Sequence, residues 1–547
     1  MATHEVTNQP PPLVDHDMFS GDAALVEAVR HHTSQTDGEH AVHRLAELGR
    51  LAGSAEAQRW GAEANAYPPV LRTHDRYGHR VDEVEFHPSW HRLMDVAISF
   101  GLAGGPWRED GKVSHVMRAA GFIVWSQVEA GHGCPVSMTY AAVPALRTDP
   151  AIAAEWVPRL TSTTYDFGLR PPTEKAGCIA GMGMTEKQGG SDVRANTTRA
   201  EPLQAEGEYL LTGHKWFCSA PMSDVFLVLA QAPGGLTCFV VPRVLPDGTR
   251  NVFRIQRLKD KLGNRSNASS EVEFEGTWAR RLGPEGRGVP TIIEMVAMTR
   301  LDCVLGSAAL MRQAVAQAIH HCRYRHAFGS ALVDKPLMRN VLADLAVESE
   351  AATTLAIRLA ASFDRAGDEQ ERAFRRIALP VSKYWVTKRC PGHVAEALEC
   401  LGGNGYVEES GMPRLYREAP LNSIWEGSGN INALDVLRAL RKEPGCLDAF
   451  LAEVGAARGA DRRLDQAVHG LLTSLSDLEG VEARARRLVE QMALVLQGSL
   501  LVRYAPPGVA DAFVASRLGG DWGYVYGTLP REVDTAAIVT RAAAAFG

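Results

Sequence analysis

The chain has 547 residues, of which 45% are hydrophobic and 22% charged, as in an ordinary soluble globular protein. This length exceeds what one hydrophobic core usually organises, so several domains are expected. The formal net charge of −6 gives no overall bias toward nucleic acid or membrane surfaces. No apolar run reaches membrane-spanning length, so we expect no membrane association.

Cysteine usage indicates a reducing compartment. The nine cysteines are scattered along the chain, and no two of them form a Cys-x-x-Cys pair. The odd count and the spacing argue against a disulfide framework and against a zinc site. We therefore predict a cytoplasmic protein without a bound metal.

The first half of the chain changes from helical to β patterning. The opening residues, MATHEVTNQPPPLVDHD, lack an apolar signal core and contain a Pro triplet, which predicts a mobile or extended arm of about 20 residues. From about residue 23 to 180, apolar residues recur every three or four positions, as in helices. From about residue 182 to 283, short segments rich in Val, Phe and Leu predict a compact β domain. One of them, SSEVEFEGTW, alternates like a half-buried strand.

Helical patterning returns after GPEGRGV. One face of a long predicted helix carries Leu342, Leu345, Ala352, Leu355, Leu359 and Phe363. KEPGC breaks the pattern after about residue 441, and further helices are predicted to the end of the chain. The predicted domains are residues 1–181, 182–284, 285–441 and 442–547, with the α, β and α parts packed together.

The segment MTEKQGGSD, residues 184–192, places two adjacent glycines among hydroxyl-bearing residues. A turn explains this composition, because Gly and Ser favour turns. A loop whose backbone must approach a flat or charged ligand explains it too, because any Cβ would intrude. The segment alone leaves both interpretations open.

The residues around this loop carry a family resemblance. MTEKQGGSDVRANTTRAEPLQAEGEYLLTGHKWFCS resembles the flavin loop and following strands of the acyl-CoA dehydrogenase family, with T-E-x-x-x-G-S-D and then G-x-K-x-aromatic-x-Thr/Ser. RYRHAFGSAL, LGGNGYVEES and LYREAPLNSIWEGSGNI follow in the family's order and are similar to its R-x-x-F-G, G-G-x-G-Y and Y-E-G-T motifs. The residues of these motifs and the tail of about a hundred residues are most similar to the AidB-like adaptive-response branch.

The resemblance implies an α+β, acyl-CoA dehydrogenase-like fold. This fold has an N-terminal α domain, a middle β-barrel-like domain and a C-terminal α-helical bundle. The branch adds an extra C-terminal helical domain.

The resemblance also implies an FAD-dependent oxidation of an acyl-CoA-type thioester. A carboxylate takes the α-proton, donors stabilise the thioester oxygen, and flavin N5 takes the β-hydride. Glu426 matches the family's base, although a carboxylate at a helix start would explain it without any catalytic role. The base position used by some other members corresponds to Thr299, which cannot act as a base.

Contacts with FAD are implied for residues of all four motifs. Phe217 aligns with an aromatic that covers the flavin ring and Ser219 with a hydroxyl that bonds N5, while a one-residue slip would exchange Trp216 for Phe217. Arg325 and Phe328 resemble residues that hold the pyrophosphate and adenosine across a subunit interface. A cofactor shared in this way implies a homotetramer built from two dimers. The full implied set is Met184, Thr185, Gly190, Ser191, Trp216, Phe217, Ser219, Arg325, Phe328, Gly402, Gly403, Gly405, Trp425, Gly427, Ser428 and Asn430.

Three departures from the family pattern bear on the substrate. Glu399 stands where many members have Gln, and Met182 stands where an aromatic is common. Trp425 is bulkier than the usual Tyr and would narrow the acyl pocket. We therefore expect a poor reaction with long straight acyl-CoA and either a short branched substrate or weak activity.

The extra domain suggests a second function. AidB-like proteins are linked with protection of DNA against alkylation, and this domain is their proposed DNA-binding part. Residues 441–547 contain 12 basic and 13 acidic side chains, so double-stranded DNA would need a one-sided basic stripe. The candidates are Arg438, Arg441, Lys442, Arg484, Arg486, Arg487 and Arg503. Solvated helix faces or an oligomer interface explain them as well, so a DNA-binding flavoprotein with structural FAD, or FAD acting on another substrate, stays an alternative.

Overall fold

The computed structural model describes residues 3–109 and 111–543, without the side chains of residues 35–37. The helices are α1 (Ala23–His32), α2 (Gln35–Gly53), α3 (Ala55–Ala66), α4 (Pro88–Ser99), α5 (His115–Ser126), α6 (Gly133–Leu146), α7 (Pro150–Leu160), α8 (Gly288–Tyr324), α9 (Pro336–Asp364), α10 (Glu369–Glu399), α11 (Met412–Glu418), α12 (Gly429–Lys442), α13 (Gly445–Gly455), α14 (Arg462–Ser476), α15 (Val481–Tyr504), α16 (Pro507–Phe513) and α17 (Thr535–Ala542). None of the helices in the described ranges is long and apolar enough to cross a membrane.

The strands are short and concentrated in the middle of the chain. They are β1 (Val70–His74), β2 (Arg80–Glu85), β3 (Ala180–Gly183), β4 (Arg199–Pro202), β5 (Glu208–Ser219), β6 (Val225–Ala232), β7 (Gly235–Pro242), β8 (Arg254–Leu258), β9 (Ser269–Leu282), β10 (His326–Ala327) and β11 (Ser330–Ala331).

Contacts divide the chain into two units. The helical unit comprises Met1–Gln58, His115–Val128 and Arg300–Gly547, and the barrel unit comprises Arg59–Ser114 and Glu129–Thr299. The predicted division into four domains stays a prediction.

A closed β barrel forms the centre of the barrel unit. Strands β6, β4, β5, β9 and β7 pair in that order, and β7 pairs back with β6. β3 adds to β6 in parallel, and β8 adds to β9. Apolar side chains such as Phe226, Phe239 and Phe274 fill the interior, because alternate positions of each strand face inward. The predicted β domain thus forms, and it is a barrel.

The predicted helical stretch before the barrel contains a hairpin that the sequence interpretation missed. β1 and β2 pair antiparallel, and Gly78 in the connecting turn has a φ of 87°. A left-handed residue in a tight turn fits the Asp-Arg-Tyr-Gly connection.

The N-terminal segment, predicted as a mobile or extended arm, packs on α2 from Leu13 to Phe19. Leu13, Met18 and Phe19 are buried. The Met18 amide donates to the Gly49 carbonyl over 3.1 Å, and a Cβ at Gly49 would lie 2.6 Å from the Phe19 nitrogen. The glycine therefore permits close approach of the two backbones.

The tail belongs to the helical unit. α13 packs on α10, α15 packs on α9, α10 and α12, and α17 packs on α9. As a result α9 is buried nearly all round from Leu342 to Phe363, and not on the single predicted face alone.

Candidate functional site

The segment of residues 184–192, called the flavin loop after its family resemblance, is attached to the barrel through one carboxylate. Glu186 is completely buried and accepts hydrogen bonds from Lys215 Nζ (2.8 Å), the Thr197 amide (2.7 Å) and the Thr198 amide (3.1 Å). Burial alone would raise the pKa of this carboxyl, but the Lys215 ammonium and the hydrogen bonds together hold it well below its usual value. Glu186 of the flavin loop and Lys215 of the following motif thus fix the loop on β5. Neither residue was predicted as a site residue.

A β-bulge in β5 places two aromatic side chains off the barrel core. The pairing with β9 shifts between Lys215 and Cys218, which are both buried. Trp216 and Phe217 lie between them, and Phe217 is 51% exposed. Lys259 Nζ lies 3.5 Å from the centroid of the Trp216 ring and 4.5 Å from that of Phe217. Because bulges re-aim side chains, both aromatics stay candidates for covering a flat ring.

The other candidates in the barrel unit lie on the same stretch. The Trp216 amide donates to the Thr185 carbonyl over 2.8 Å, which joins the flavin loop to the bulge. A Cβ at Gly190 would lie 2.4 Å from Thr185 Oγ1, so the loop closes around this glycine. Ser219 is partly exposed and its hydroxyl lies 3.4 Å from that of Ser269. Met184 is half-buried beside Thr185, and Ser191 is exposed.

In the helical unit, Glu426 is held in an unusual backbone conformation. Its φ is 56°, in the left-handed region that non-glycine residues rarely adopt. Arg300 Nε donates to the Glu426 carbonyl over 3.0 Å, and Lys383 Nζ donates to the carbonyls of Trp425 (2.8 Å) and Gly427. Both cationic side chains are buried. Strain of this kind collects at functional sites, where surrounding contacts maintain it.

The electrostatics around Glu426 involve the same buried cation. Burial lowers the pKa of Lys383, while Cys303 and the Glu426 carboxylate act in the opposite direction. Burial raises the pKa of the Cys303 thiol to about 12; Lys383 opposes this rise and Glu426 adds to it. The half-buried Glu426 carboxylate therefore lies close to a neutral thiol and a buried ammonium.

The residues around Glu426 form an ordered turn before α12. Trp425 Nε1 donates to Asn422 Oδ1 over 3.0 Å, which fixes the indole. Ser428 and Asn430 are exposed at the start of α12. Thr299 lies on α8, where its hydroxyl bonds carbonyls of its own helix. Sequence reasoning missed Arg300 and Lys383, since a side chain that binds a backbone carbonyl leaves no motif.

The R-x-x-F-G motif forms a two-residue hairpin turn. β10 and β11 are joined by Phe328 and Gly329, with φ of 50° and 86°. Phe328 is 97% exposed and projects from the tip. Arg325 precedes β10, and its guanidinium donates to the Asn8 carbonyl over 2.6 Å.

The G-G-x-G-Y motif forms a 3₁₀ turn, Gly402–Tyr406, after α10. Gly402 has a φ of 59°, and both Gly402 and Gly403 are exposed with no atom near the position of a Cβ. Gly405 differs, because its Cβ would lie 2.2 Å from the Leu398 carbonyl oxygen. Two of the three glycines thus leave backbone open to a ligand, and the third is needed by the turn itself.

Six of the seven predicted DNA contacts are exposed side chains. Arg503 is the exception: it pairs with Glu453 over 2.5 Å, and its side chain is only 17% exposed. This ion pair joins α15 to α13, which explains Arg503 without any DNA. The exposed ones are Arg438, Arg441, Lys442, Arg484, Arg486 and Arg487.

Comparison with known proteins agrees with this arrangement. The adaptive response protein AidB N-terminal domain matches residues 8–167, the acyl-CoA dehydrogenase middle domain residues 181–277, and the acyl-CoA dehydrogenase C-terminal domain residues 286–441. The AidB protein of Escherichia coli is 48% identical over 513 residues, covering 93% of this chain and 94% of its own. The chain belongs to the AidB-like branch of the acyl-CoA dehydrogenase family.

Solved structures extend the comparison to the fold. The crystal structure of Caenorhabditis elegans ACDH-11 in complex with C11-CoA is 25% identical, with a TM-score of 0.84, and covers 99% of this chain and 93% of its own. An acyl-CoA dehydrogenase from Bacillus anthracis complexed with FAD is 19% identical, with a TM-score of 0.64, and covers 79% of this chain and 81% of its own. The predicted family and the predicted fold class are therefore confirmed.

Proposed function

We propose that this protein binds FAD and oxidises the Cα–Cβ bond of an acyl-CoA thioester, with Glu426 as the base that takes the α-proton. The observation that carries the proposal is the left-handed backbone of Glu426, clamped by Arg300 and Lys383. The backbone that carries the carboxylate of the family's base position is thus held by buried donors. Preorganisation of this kind lowers the cost of proton transfer.

The residues of each unit fit an FAD cofactor. In the barrel unit, the flavin loop closes on Gly190, and Phe217 and the Ser219 hydroxyl offer a ring face and a donor. In the helical unit, Gly402 and Gly403 leave backbone without side chains, which suits approach to a phosphate or a nucleotide. FAD, when bound, supplies the acceptor for the hydride that leaves Cβ.

Glu426 does the protein's part of the chemistry. Its carboxylate takes the proton from Cα as the hydride leaves Cβ, so that the carbon–carbon double bond forms. The base must be ionised before the step, and the carboxylate of Glu426 raises the pKa of the nearby Lys383 against the larger effect of burial. Arg300 and Lys383 donate to the backbone carbonyls of residues 425–427, which fixes the main-chain position from which the Glu426 side chain extends.

We propose a short branched acyl-CoA as the substrate class. The Caenorhabditis elegans relative was solved with C11-CoA, which supports an acyl-CoA as the class of ligand. We expect a shorter acyl chain in this protein, because the bulky Trp425 indole would narrow the acyl pocket and is held in place by its hydrogen bond to Asn422. A series of straight and branched acyl-CoA thioesters of increasing length should show the highest rate for short branched chains.

Anaerobic bleaching of the flavin tests the proposed reaction. Wild-type protein mixed with a short branched acyl-CoA should lose its flavin absorbance, and Glu426→Gln should abolish this loss while FAD stays bound. Glu409→Gln is the matched control, because Glu409 is an exposed glutamate of the same unit. Equal bleaching in Glu426→Gln and wild type would refute the role of Glu426. Absence of bleaching with every acyl-CoA in the series would refute the dehydrogenase activity.

We propose that the protein is a cytoplasmic homotetramer. The exposed aromatic ring of Phe328 at the hairpin tip favours a role at another protomer's cofactor, as in the family. The nine cysteines are all free and buried, which suits a reducing cytoplasm.

We propose double-stranded DNA as a second ligand on the strength of the exposed basic side chains of α12 and α15, helices that pack on each other. Phosphate contacts make affinity fall steeply with salt. Charge reversal at Arg484, Arg486 and Arg487 should weaken duplex binding and flatten its salt dependence. Binding that is absent or insensitive to salt would reject this function.

A further inference from the structure

Residues 8–11, here called the N-terminal strap, lie against two of the family motifs in the helical unit. Asn404 Nδ2 of the Gly402–Tyr406 turn donates to Gln9 Oε1 over 3.2 Å. His320 Nε2, near the end of α8, donates to the Pro11 carbonyl over 2.8 Å. The strap therefore links the end of α8 with the turn that carries the exposed glycines.

Asn8 binds the edge of β10 as a neighbouring strand would. The His326 amide donates to Asn8 Oδ1 over 2.7 Å, and Asn8 Nδ2 donates to the His326 carbonyl over 2.9 Å. One side-chain amide thus satisfies both backbone groups of His326. Asn8 itself has a φ of 58°, a left-handed conformation that Asn tolerates better than most residues.

The backbone of Asn8 also orients Arg325. Arg325 Nη1 donates to the Asn8 carbonyl over 2.6 Å. A guanidinium has five N–H donors in a rigid plane, so fixing one of them fixes the direction of the others. Arg325 is the side chain aligned with the family's pyrophosphate contact, and a phosphate is best bound by a guanidinium whose plane is already oriented.

We propose that the N-terminal strap is a positioning element for the adenosine diphosphate half of the cofactor. It holds Arg325 and the hairpin that carries Phe328 at a fixed position relative to the Gly402–Tyr406 turn, and so raises the affinity for FAD. This inference rests on the proposed function. Asn8 is the positioning residue, since its side chain and its carbonyl make the contacts to the hairpin and to Arg325.

The test compares full-length variants for their dissociation constants with FAD and with riboflavin, both followed by quenching of flavin fluorescence. Riboflavin lacks the adenosine diphosphate half, so it reports on the isoalloxazine contacts alone. Asn8→Gly keeps the left-handed backbone without strain and removes the amide. Val6→Ser is the control, because Val6 precedes the strap by two residues and is 75% exposed.

Asn8→Gly should raise the dissociation constant for FAD about tenfold and leave that for riboflavin unchanged, whereas Val6→Ser should change neither. A general loss of structure would weaken both ligands equally and would overturn the inference, as would an unchanged FAD affinity. Tighter FAD binding in Asn8→Gly would mean that the strap competes with the cofactor, which also overturns it. Wild-type protein that binds no FAD would instead reject the proposed function itself.

Discussion

Two charged side chains outside the proposed chemistry, Glu186 and Lys215, decide where the flavin loop lies. Both are completely buried, and Lys215 Nζ also donates to the Leu229 carbonyl over 2.7 Å. Removing two charges from water is costly, and the attraction between them offsets this only when the remaining donors and acceptors are satisfied. Here the Thr197 and Thr198 amides complete the set on the carboxylate.

Glu186→Gln should destabilise the protein by about 3–5 kcal/mol, because the Lys215 ammonium is left buried without its counter-charge. The double variant Glu186→Gln/Lys215→Met should recover part of this loss, since it removes the uncompensated charge. Chemical denaturation of the two single variants and the double variant measures the coupling. Glu201→Gln is an exposed control on β4. Strictly additive effects would show that the two side chains do not act as a pair.

The candidate site residues that were predicted from the sequence and those that were missed differ in a physical respect. Glu426 and Phe217 stand in recognisable family motifs, because the role proposed for each belongs to its own side chain. Arg300 and Lys383 were not predicted, because they act by donating to carbonyls, and every residue has a carbonyl. Such contacts impose no pattern on the sequence of the partner segment.

At the scale of elements, the three glycines of the Gly402–Tyr406 turn differ in what surrounds them: a Cβ would meet backbone at Gly405 but open space at Gly402 and Gly403. Gly405→Ala should destabilise the protein without FAD by about 1–3 kcal/mol, because the Cβ meets a backbone oxygen that cannot move cheaply. Gly403→Ala should leave that stability unchanged, since nothing lies near its Cβ, but should weaken FAD binding if the cofactor passes there. Thermal unfolding and FAD titration of both variants check this. Unchanged FAD affinity in Gly403→Ala would remove that glycine from the cofactor site.

The type of an element, helix or strand, was predictable where its hydrophobic pattern was regular and undisturbed by its neighbours. The barrel strands alternate and are bounded by turn residues, and the helices after residue 285 keep one period over many turns. The β1–β2 hairpin was missed, because two strands of five and six residues sit inside a region of helical pattern. The burial of α9 on all sides was missed because the second covering layer comes from α15 and α17, far along the chain.

At the scale of the whole molecule, buried ion pairs join the tail to the bundle. Arg517 in the tail bonds Asp344 and Glu348 of α9, and Arg389 of α10 bonds Glu348 as well. All of these side chains except Arg389 are buried. The tail is therefore a part of the core, and a DNA-binding role for it would depend on its exposed residues alone.

Protonation of Glu348 in acid should weaken the ion pairs that join the tail to α9. Burial alone would raise its pKa, but Arg389 and Arg517 lower it from the ordinary value of 4.5 to about 2. Because the pKa in the folded state lies below that in the unfolded state, the stabilisation is complete above about pH 4.5 and is lost as the pH falls toward 2. Over that window the loss is about 1.4 kcal/mol per pH unit.

Glu348→Gln therefore should lower the thermal midpoint most at neutral pH, where it leaves Arg517 and Arg389 without their shared carboxylate. As the pH falls below 4.5, wild type should approach the variant, since protonation removes the same charge. Thermal unfolding from pH 7 to pH 3 measures the difference, with Glu482→Gln, an exposed change on α15, as the control. A gap that stays constant across this range would mean that the charge of Glu348 does not hold the tail to the bundle, and that packing alone does.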